Sequence, residues 1–187
     1  MHIRRFLTAL CLIGSIGLGL GVTNTAQGQA PLNIGILDLA AIRKHSVAIK
    51  DIRAQIEKYR KGFQAEIKKE EDALQVANQD LAKKRTLLGP EAFAKERRQF
   101  EQKVVGVQKL VRQRKADLDR AFSKAMLIVE DKMNTIMSEV ATKRGARVVL
   151  RRQHTVLSDR SLDMTQEVLK RLNAELKTVP VKKPGSK

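Results

Sequence analysis

Hydrophobic residues in the middle of the chain recur every three or four positions. They form one stripe between residues 49 and 88 and a second stripe between residues 93 and 140. This spacing places apolar side chains on one face of an α-helix, so the sequence predicts two long amphipathic helices. The stripes consist of Ile52, Ile56, Tyr59, Phe63, Ile67, Leu74, Leu81 and Leu88, and then of Phe93, Phe100, Val104, Val107, Val111, Leu118, Phe122, Val129, Met133, Ile136 and Val140.

Gly89 and Pro90 separate the two predicted helices. Glycine favours the position just past a helix end, and proline is preset for the first turn of the next helix. The pair therefore predicts a tight reversal, which makes residues 49–144 an antiparallel helical hairpin of coiled-coil type with its tip near residues 89–90. At 1.5 Å per residue the two helices are about 60 and 80 Å long. We call this hairpin the arm.

The segments that flank the arm predict a small body with some β-structure. Residues 32–38 are typical of a strand, and Asp38 can cap a short helix. Residues 147–150 and 154–157 are predicted as two further strands joined by a turn at residues 151–153. Asp163 or Thr165 can then cap a last helix that carries Val168, Leu169, Leu172 and Leu176.

These elements predict an α+β fold that is predominantly α. A discontinuous β-rich body, residues 31–48 and 145–178, carries the projecting arm, and residues 179–187 form a basic flexible tail. A body of this size buries too little apolar surface to be stable alone. We therefore expect it to be a site of self-association.

Residues 1–30 have the pattern of a cleaved signal peptide. Arg4 and Arg5 precede an uncharged apolar stretch over residues 6–22, and small residues follow it. The alternative is a retained membrane anchor, but 17 residues fall short of the roughly 20 that a spanning helix needs. Cleavage predicts an exported protein without cysteine, because Cys11 lies in the apolar stretch.

Basic residues dominate the predicted mature chain. Removal of residues 1–30 leaves 35 basic and 20 acidic residues, a net charge of +15. Residues 83–115 around the arm tip contain 11 basic and three acidic residues. A surface of this charge attracts anionic partners over long distances.

The sequence offers little for catalysis. The predicted mature chain contains two histidines, His45 and His154, and lacks a zinc-binding histidine pair, a nucleophile elbow and a phosphate-binding loop. The neighbouring acids Glu70, Glu71 and Asp72 point in different directions on a helix, which favours a solvated acidic turn over a metal site. We therefore predict that the protein is not an enzyme and uses no cofactor.

The order of these elements resembles the Skp/OmpH family of periplasmic chaperones over residues 32–176. The similarity is carried by the first strand, residues 33–38, and by Leu162-Asp163-Met164-Thr165 leading into Glu167-Val168-Leu169. The resemblance implies a homotrimer in the periplasm, with three helical arms around a central cavity. It also implies that this cavity holds unfolded outer-membrane β-barrel proteins without ATP.

The arm tip is the predicted contact surface for an unfolded client protein or another anion. Its candidate residues are Lys83, Lys84, Arg85, Leu87, Leu88, Phe93, Lys95, Arg97 and Arg98. One alternative is that each of these charges belongs to a solvated helix face and that the leucines and phenylalanine only pack the tip.

Two other functions remain open from the sequence. A basic coiled-coil tether could link the envelope to anionic lipid or polysaccharide, and contact with lipopolysaccharide is left undecided. Nucleic-acid binding is supported by net charge alone, because the aromatic residues lie at helix-seam spacing rather than on a binding platform. We therefore expect no specific nucleic-acid partner.

Overall fold

Two antiparallel helices form most of the computed structural model, which describes residues 32–185. In chain order the elements are β1 (Ile34–Leu37), α1 (Leu39–His45), α2 (Val47–Leu87), α3 (Pro90–Lys143), β2 (Val148–Arg151) and α4 (Thr165–Glu175), with short 3₁₀ turns at Arg152–His154 and Arg160–Leu162. The fold is mainly α with a small β part, as predicted. The predicted signal peptide, residues 1–30, lies outside the described residues.

The reversal at the arm tip takes only Leu88 and Gly89. The Leu88 N–H donates to the Lys84 carbonyl at 3.0 Å, and the Phe93 N–H donates to the Gly89 carbonyl at 3.0 Å. Gly89 has φ −65°, so α2 ends without a left-handed residue, and Pro90 opens α3 as expected.

Caps define the other helix ends. The Asp38 side chain accepts the Ala41 N–H at 2.9 Å at the start of α1. Ser46 is fully buried and both ends α1 and caps α2, a break that the sequence pattern does not predict. Gly145 has φ +65° and follows α3, the left-handed conformation that glycine commonly adopts just past a helix end.

β1 and β2 pair in parallel. Ile34 lies opposite Val148 and Leu37 lies opposite Arg151. A β-carbon on Gly35 would lie 2.5 Å from the Met164 sulfur, so glycine at this position lets α4 begin directly against the strand.

The predicted strand at residues 154–157 is wrong. His154 lies in a 3₁₀ turn, and Val156 and Leu157 are 105% and 91% exposed. Arg151 ends β2 and the chain then enters that turn, because Arg152 and Gln153 lack the backbone freedom of a tight hairpin. The sheet in the described residues therefore has two strands, and the body contains less β-structure than the sequence predicts.

The hydrophobic core lies at the root of the arm. It joins α1, the first turns of α2, the last turns of α3, and α4. Because α3 is 54 residues long and α2 is 41, the longer helix continues into the body beneath α4. The largest fully buried side chains include Ile36, Leu37, Ile42, Ile52, Val129, Ile136, Val140, Met164, Val168 and Leu172.

The Asp163-Met164-Thr165 motif fastens α4 to β1. The Met164 N–H donates to the Ile36 carbonyl at 2.9 Å, and the Thr165 hydroxyl accepts the Asp38 N–H at 2.8 Å. The Asp163 carboxylate accepts the Thr165 N–H, the first amide of α4, at 2.8 Å, but the N-cap position is Met164 rather than the predicted Asp163 or Thr165. These hydrogen bonds hold β1, the start of α1 and the start of α4 together.

Residues 179–185, which were predicted as part of a flexible tail, are packed against the body in the structure. Val179 and Val181 are 1% and 6% exposed and belong to the hydrophobic core. The Gln55 amide bonds to the Val179 carbonyl and the Val181 N–H, and the Tyr59 hydroxyl donates to the Val181 carbonyl. Residues 176–185, which we call the C-terminal segment, therefore pack along α2, because these contacts satisfy both their apolar side chains and their backbone.

Candidate functional site

The arm changes character along its length. Buried residues extend no further than Ile56 on α2 and begin at Asp117 on α3. Beyond that level the seam residues are only half-buried: Phe63, Ile67, Leu74, Leu81, Phe93, Phe100, Val104, Val107 and Leu110. The distal arm therefore presents a long apolar stripe that solvent reaches from both sides of the hairpin.

Polar pairs set the register of the two helices where the core is absent. Arg114 donates two hydrogen bonds to Glu66, at 2.9 and 2.7 Å, and its guanidinium lies 4.7 Å from the centre of the Phe63 ring. The hydrogen bond from Arg114 lowers the pKa of Glu66. This cluster links the two helices at mid-arm.

A second link lies nearer the tip. The Lys84 ammonium donates to Glu96 at 2.7 Å. This hydrogen bond raises the pKa of Lys84 and lowers the pKa of Glu96. Lys84 was predicted as a contact residue for a client or another anion. In the structure its ammonium pairs with Glu96 and so joins α2 to α3.

The remaining predicted tip residues are mostly exposed. Leu87 is 79% exposed, Leu88 is also exposed, and Phe93 is half-buried in the seam. Lys83, Arg85, Lys95, Arg97 and Arg98 are exposed on both helices around them. The fold therefore brings apolar and basic candidates to the same end of the arm.

Ion pairing leaves the tip strongly positive. Lys83 lies 3.7 Å from Asp80, and Arg97 lies 3.5 Å from Glu101. Within residues 32–185, the side chains of Arg85, Lys95 and Arg98 form no ion pair. These three cations remain available to an anionic partner.

Sequence reasoning missed apolar residues that lie off the seam. Val76 and Val105 are more than half exposed on the distal arm, and Val111, which was assigned to the seam, is 40% exposed. The sequence could have indicated them, because Val76 and Val105 lie outside the three-and-four spacing of the seam residues and therefore on another face of their helices. They widen the apolar surface of the arm.

A shallow cleft interrupts the seam between mid-arm and tip. Its volume is about 400 Å³, and its lining includes Ala73, Leu74, Gly106, Val107 and Leu110, with Glu70 and Lys103 at its edge. The cleft opens where Gly106 has no side chain, since a β-carbon there would meet nothing within 4 Å. A small apolar side chain from another protein could enter the arm at this point.

The body carries a second exposed apolar surface. Val148 and Leu150 of β2 are exposed, as are Val156 and Leu157 in the connection that follows. Val148 and Leu150 are two positions apart and therefore project from the same face of β2. This surface and the arm tip are at opposite ends of α3.

No group of three His, Cys, Asp or Glu side chains within residues 32–185 could hold a metal ion. None of the helices in that range is long and apolar enough to cross a membrane.

Comparison with known proteins identifies the family. The family described as "Outer membrane protein (OmpH-like)" matches residues 33–172, three quarters of the chain. The chain belongs to the OmpH-like family. No curated protein matches it.

A solved structure has the same fold. It is an OmpH-like protein from Caulobacter crescentus CB15, described as a candidate outer membrane chaperone and determined at 2.83 Å. It is 22% identical to this chain, with a TM-score of 0.74 over 85% of this chain and 94% of the other. The hairpin and its body are therefore shared across a wide sequence distance.

Proposed function

We propose that this protein is a periplasmic holdase chaperone. It binds unfolded outer-membrane β-barrel proteins without ATP and prevents their aggregation. Membership of the OmpH-like family and a fold shared with a candidate outer membrane chaperone support the general role. The observation that carries the specific role is the half-buried apolar stripe of the distal arm beside unpaired basic residues.

This surface suits an unfolded client better than a folded ligand. An unfolded barrel exposes strands with alternating apolar residues, which aggregate readily. A holdase must cover such strands through many weak contacts, and the open seam with Leu87, Val76 and Val105 offers them along tens of ångströms. Arg85, Lys95 and Arg98 add electrostatic attraction, which raises the rate of capture of an acidic chain.

The proposed assembly is a homotrimer formed by the body. The exposed surface of Val148, Leu150, Val156 and Leu157 is apolar, and the outer edge of β2 has unpaired backbone groups among the described residues. Exposed strand edges and apolar patches are usual sites of association. Three joined bodies would set three arms around one client.

An aggregation assay tests the proposal. An unfolded outer-membrane barrel is diluted from urea into buffer without nucleotide, and light scattering is followed with increasing amounts of this protein. We expect near-stoichiometric suppression of scattering. Undiminished aggregation at a several-fold excess would refute the holdase role.

The second candidate is an envelope tether that binds anionic lipid or lipopolysaccharide through the basic tip. The unpaired cations Arg85, Lys95 and Arg98 favour it. Sedimentation with anionic vesicles separates the two functions. Tight vesicle binding together with failure in the aggregation assay would support the tether.

A further inference from the structure

The C-terminal segment follows the stretch that the family model matches, and it packs in a groove between residues of α2 and α3. The family match ends at residue 172, whereas the segment covers residues 176–185. We call its binding surface the root groove. The groove is formed by Asp51, Gln55, Tyr59 and Glu66 of α2 and by Arg114 and Asp117 of α3.

The segment is extended along α2. Thr178 donates to Asp51 at 2.6 Å at one end, and Gly185 lies against Arg114 and Asp117 at the other. Arg114 binds Glu66, which marks the same level on α2. The rise from Asp51 to Glu66 is about 22 Å in a helix, and the five steps from residue 178 to residue 183 span about 17 Å when extended, before the chain turns at residues 184–185.

The groove binds the backbone of the C-terminal segment through three hydrogen bonds from two side chains, Gln55 and Tyr59. The Gln55 amide nitrogen donates to the Val179 carbonyl at 3.0 Å, and its oxygen accepts the Val181 N–H at 2.9 Å. This two-way pairing is what a neighbouring β-strand would offer. The Tyr59 hydroxyl adds a third hydrogen bond, to the Val181 carbonyl at 3.2 Å.

Its side-chain requirements are simple. Val179 and Val181 are buried and Pro180 between them is exposed, which is the alternation of an extended chain. The acidic residues Asp51, Glu66 and Asp117 line the groove beside the basic Arg114. The hydrogen bond from Arg114 is the main cause of the lowered pKa of Glu66, and the charge of Lys183 adds a smaller contribution. The fitting segment therefore has small apolar residues two positions apart, followed by a cation.

The far end of the groove has an unused acceptor. Asp117 is only 4% exposed, and its Oδ2 accepts no hydrogen bond from the described residues. Arg114 Nη1 lies 3.8 Å away, beyond hydrogen-bond length. A donor from a bound segment would satisfy this oxygen, which is costly to leave unpaired.

We propose that the root groove is a binding site for extended peptide segments, that the C-terminal segment is its resident occupant, and that strands of an unfolded outer-membrane barrel compete for it. Membrane-spanning strands of barrels alternate apolar and polar residues, so they have the required pattern. The competing client is taken from the proposed function. The arm then has two chemistries, a basic tip for acidic stretches and an acid-lined groove for apolar and basic ones.

Hydrogen exchange of the protein without its predicted signal peptide tests the competition. The Val181 amide, which donates to the Gln55 side-chain oxygen, should exchange about tenfold faster or more when an unfolded barrel is bound, because the segment leaves the groove. Amides of α4 serve as the internal control and should not change. Unchanged protection of the Val181 amide in a sample that holds the client soluble would overturn the competition and leave the holdase function standing.

Peptide binding tests the groove without a client. A labelled peptide of residues 176–187 is titrated into the wild type and into a V179D/V181D variant, whose own segment cannot dock. We expect the variant to bind the peptide about tenfold more tightly or better, since the groove is then vacant. The matched control is L127D/I128D, which places the same two charges at exposed apolar positions of α3 and should behave as wild type.

Competition with a second peptide completes the test. A peptide with the alternating sequence of a barrel strand should displace the labelled peptide from the V179D/V181D variant, and one with aspartate at the apolar positions should not. Absence of binding by a variant with wild-type helicity, or binding that the strand peptide cannot compete, would show the segment to be only a structural clamp. Gln55→Ala should weaken binding severalfold, because the backbone pairing is lost.

Discussion

Only glycine fits at position 35, because the Met164 thioether occupies the space that a side chain would need. Replacement by alanine would place a methyl group 2.5 Å from the Met164 sulfur, and Met164 is fully buried. Overpacking of this kind costs about 1–3 kcal/mol of unfolding free energy. We expect Gly35→Ala to lower the free energy of unfolding by this amount, which urea denaturation would show as a lower midpoint.

Gly62 provides the matched control. It lies in the exposed middle of α2, and an added β-carbon would meet nothing within 4 Å. Alanine is a better helix former by about 1 kcal/mol, so Gly62→Ala should be neutral or stabilising. Equal effects of the two substitutions would contradict the close contact between β1 and Met164.

Asp163 links body stability to pH. Burial raises the pKa of its carboxyl, but hydrogen bonds from Thr165 and Arg152 outweigh burial and hold the pKa below its usual value. A lowered pKa stabilises the fold above the unfolded value near 4 and loses that contribution as the pH falls through the folded value. Asp163→Ala should cost about 1 kcal/mol at pH 7, because the hydrogen bonds from the Thr165 N–H and the Arg152 guanidinium are lost.

The same variant should be less sensitive to acid. Thermal unfolding between pH 2 and 7 checks this, with the exposed α3 residue replaced in Asp119→Ala as the control. The difference between wild type and Asp163→Ala should shrink below pH 4. A difference that grows on acidification would contradict the assigned direction.

At the level of elements, polar pairs replace the missing core of the arm. Arg114 binds Glu66 and covers Phe63, but it is partly exposed, so its contribution is about 1 kcal/mol rather than that of a buried pair. Arg114→Met should increase hydrogen exchange in residues 57–87 and leave α4 unchanged. Arg112→Met, at an exposed position two residues away, should have no such effect.

Helices were predictable from the sequence where the signal is local. The three-and-four spacing, the Gly89-Pro90 reversal and the Asp38 and Gly145 caps all depend on neighbouring residues, and the helices end within two residues of the predicted arm. The pairing of β1 with β2 joins residues 114 positions apart, and no local pattern indicates it. Residues 154–157 have strand-like composition, but strand formation also needs a distant partner strand, and none pairs with them within the described chain.

The candidate site was predicted in part. Charge runs and seam spacing placed the basic and apolar residues at the tip, and the fold brings them together there. The role of Lys84 as a link to Glu96 depends on helix register, which spacing alone does not fix. The docking of Val179 and Val181 was missed, because two valines in a basic stretch carry no periodicity.

At the scale of the whole molecule, the net positive charge of the tip should control capture rather than holding. A triple variant with Arg85, Lys95 and Arg98 changed to glutamine should slow association with an acidic unfolded barrel about two- to tenfold and weaken its salt dependence. Stopped-flow fluorescence at two ionic strengths measures both. The control removes three exposed charges from the body, at Arg147, Arg160 and Lys170, and should change the rate less.

The most direct test of the central claim is the mass of the assembly measured by light scattering, with and without an unfolded outer-membrane barrel and without nucleotide. We predict three copies of the protein alone, and the same three copies plus one client chain after mixing. A monomer, or a mass that does not rise when the client is added, would contradict the proposal that joined bodies set open arms around a client.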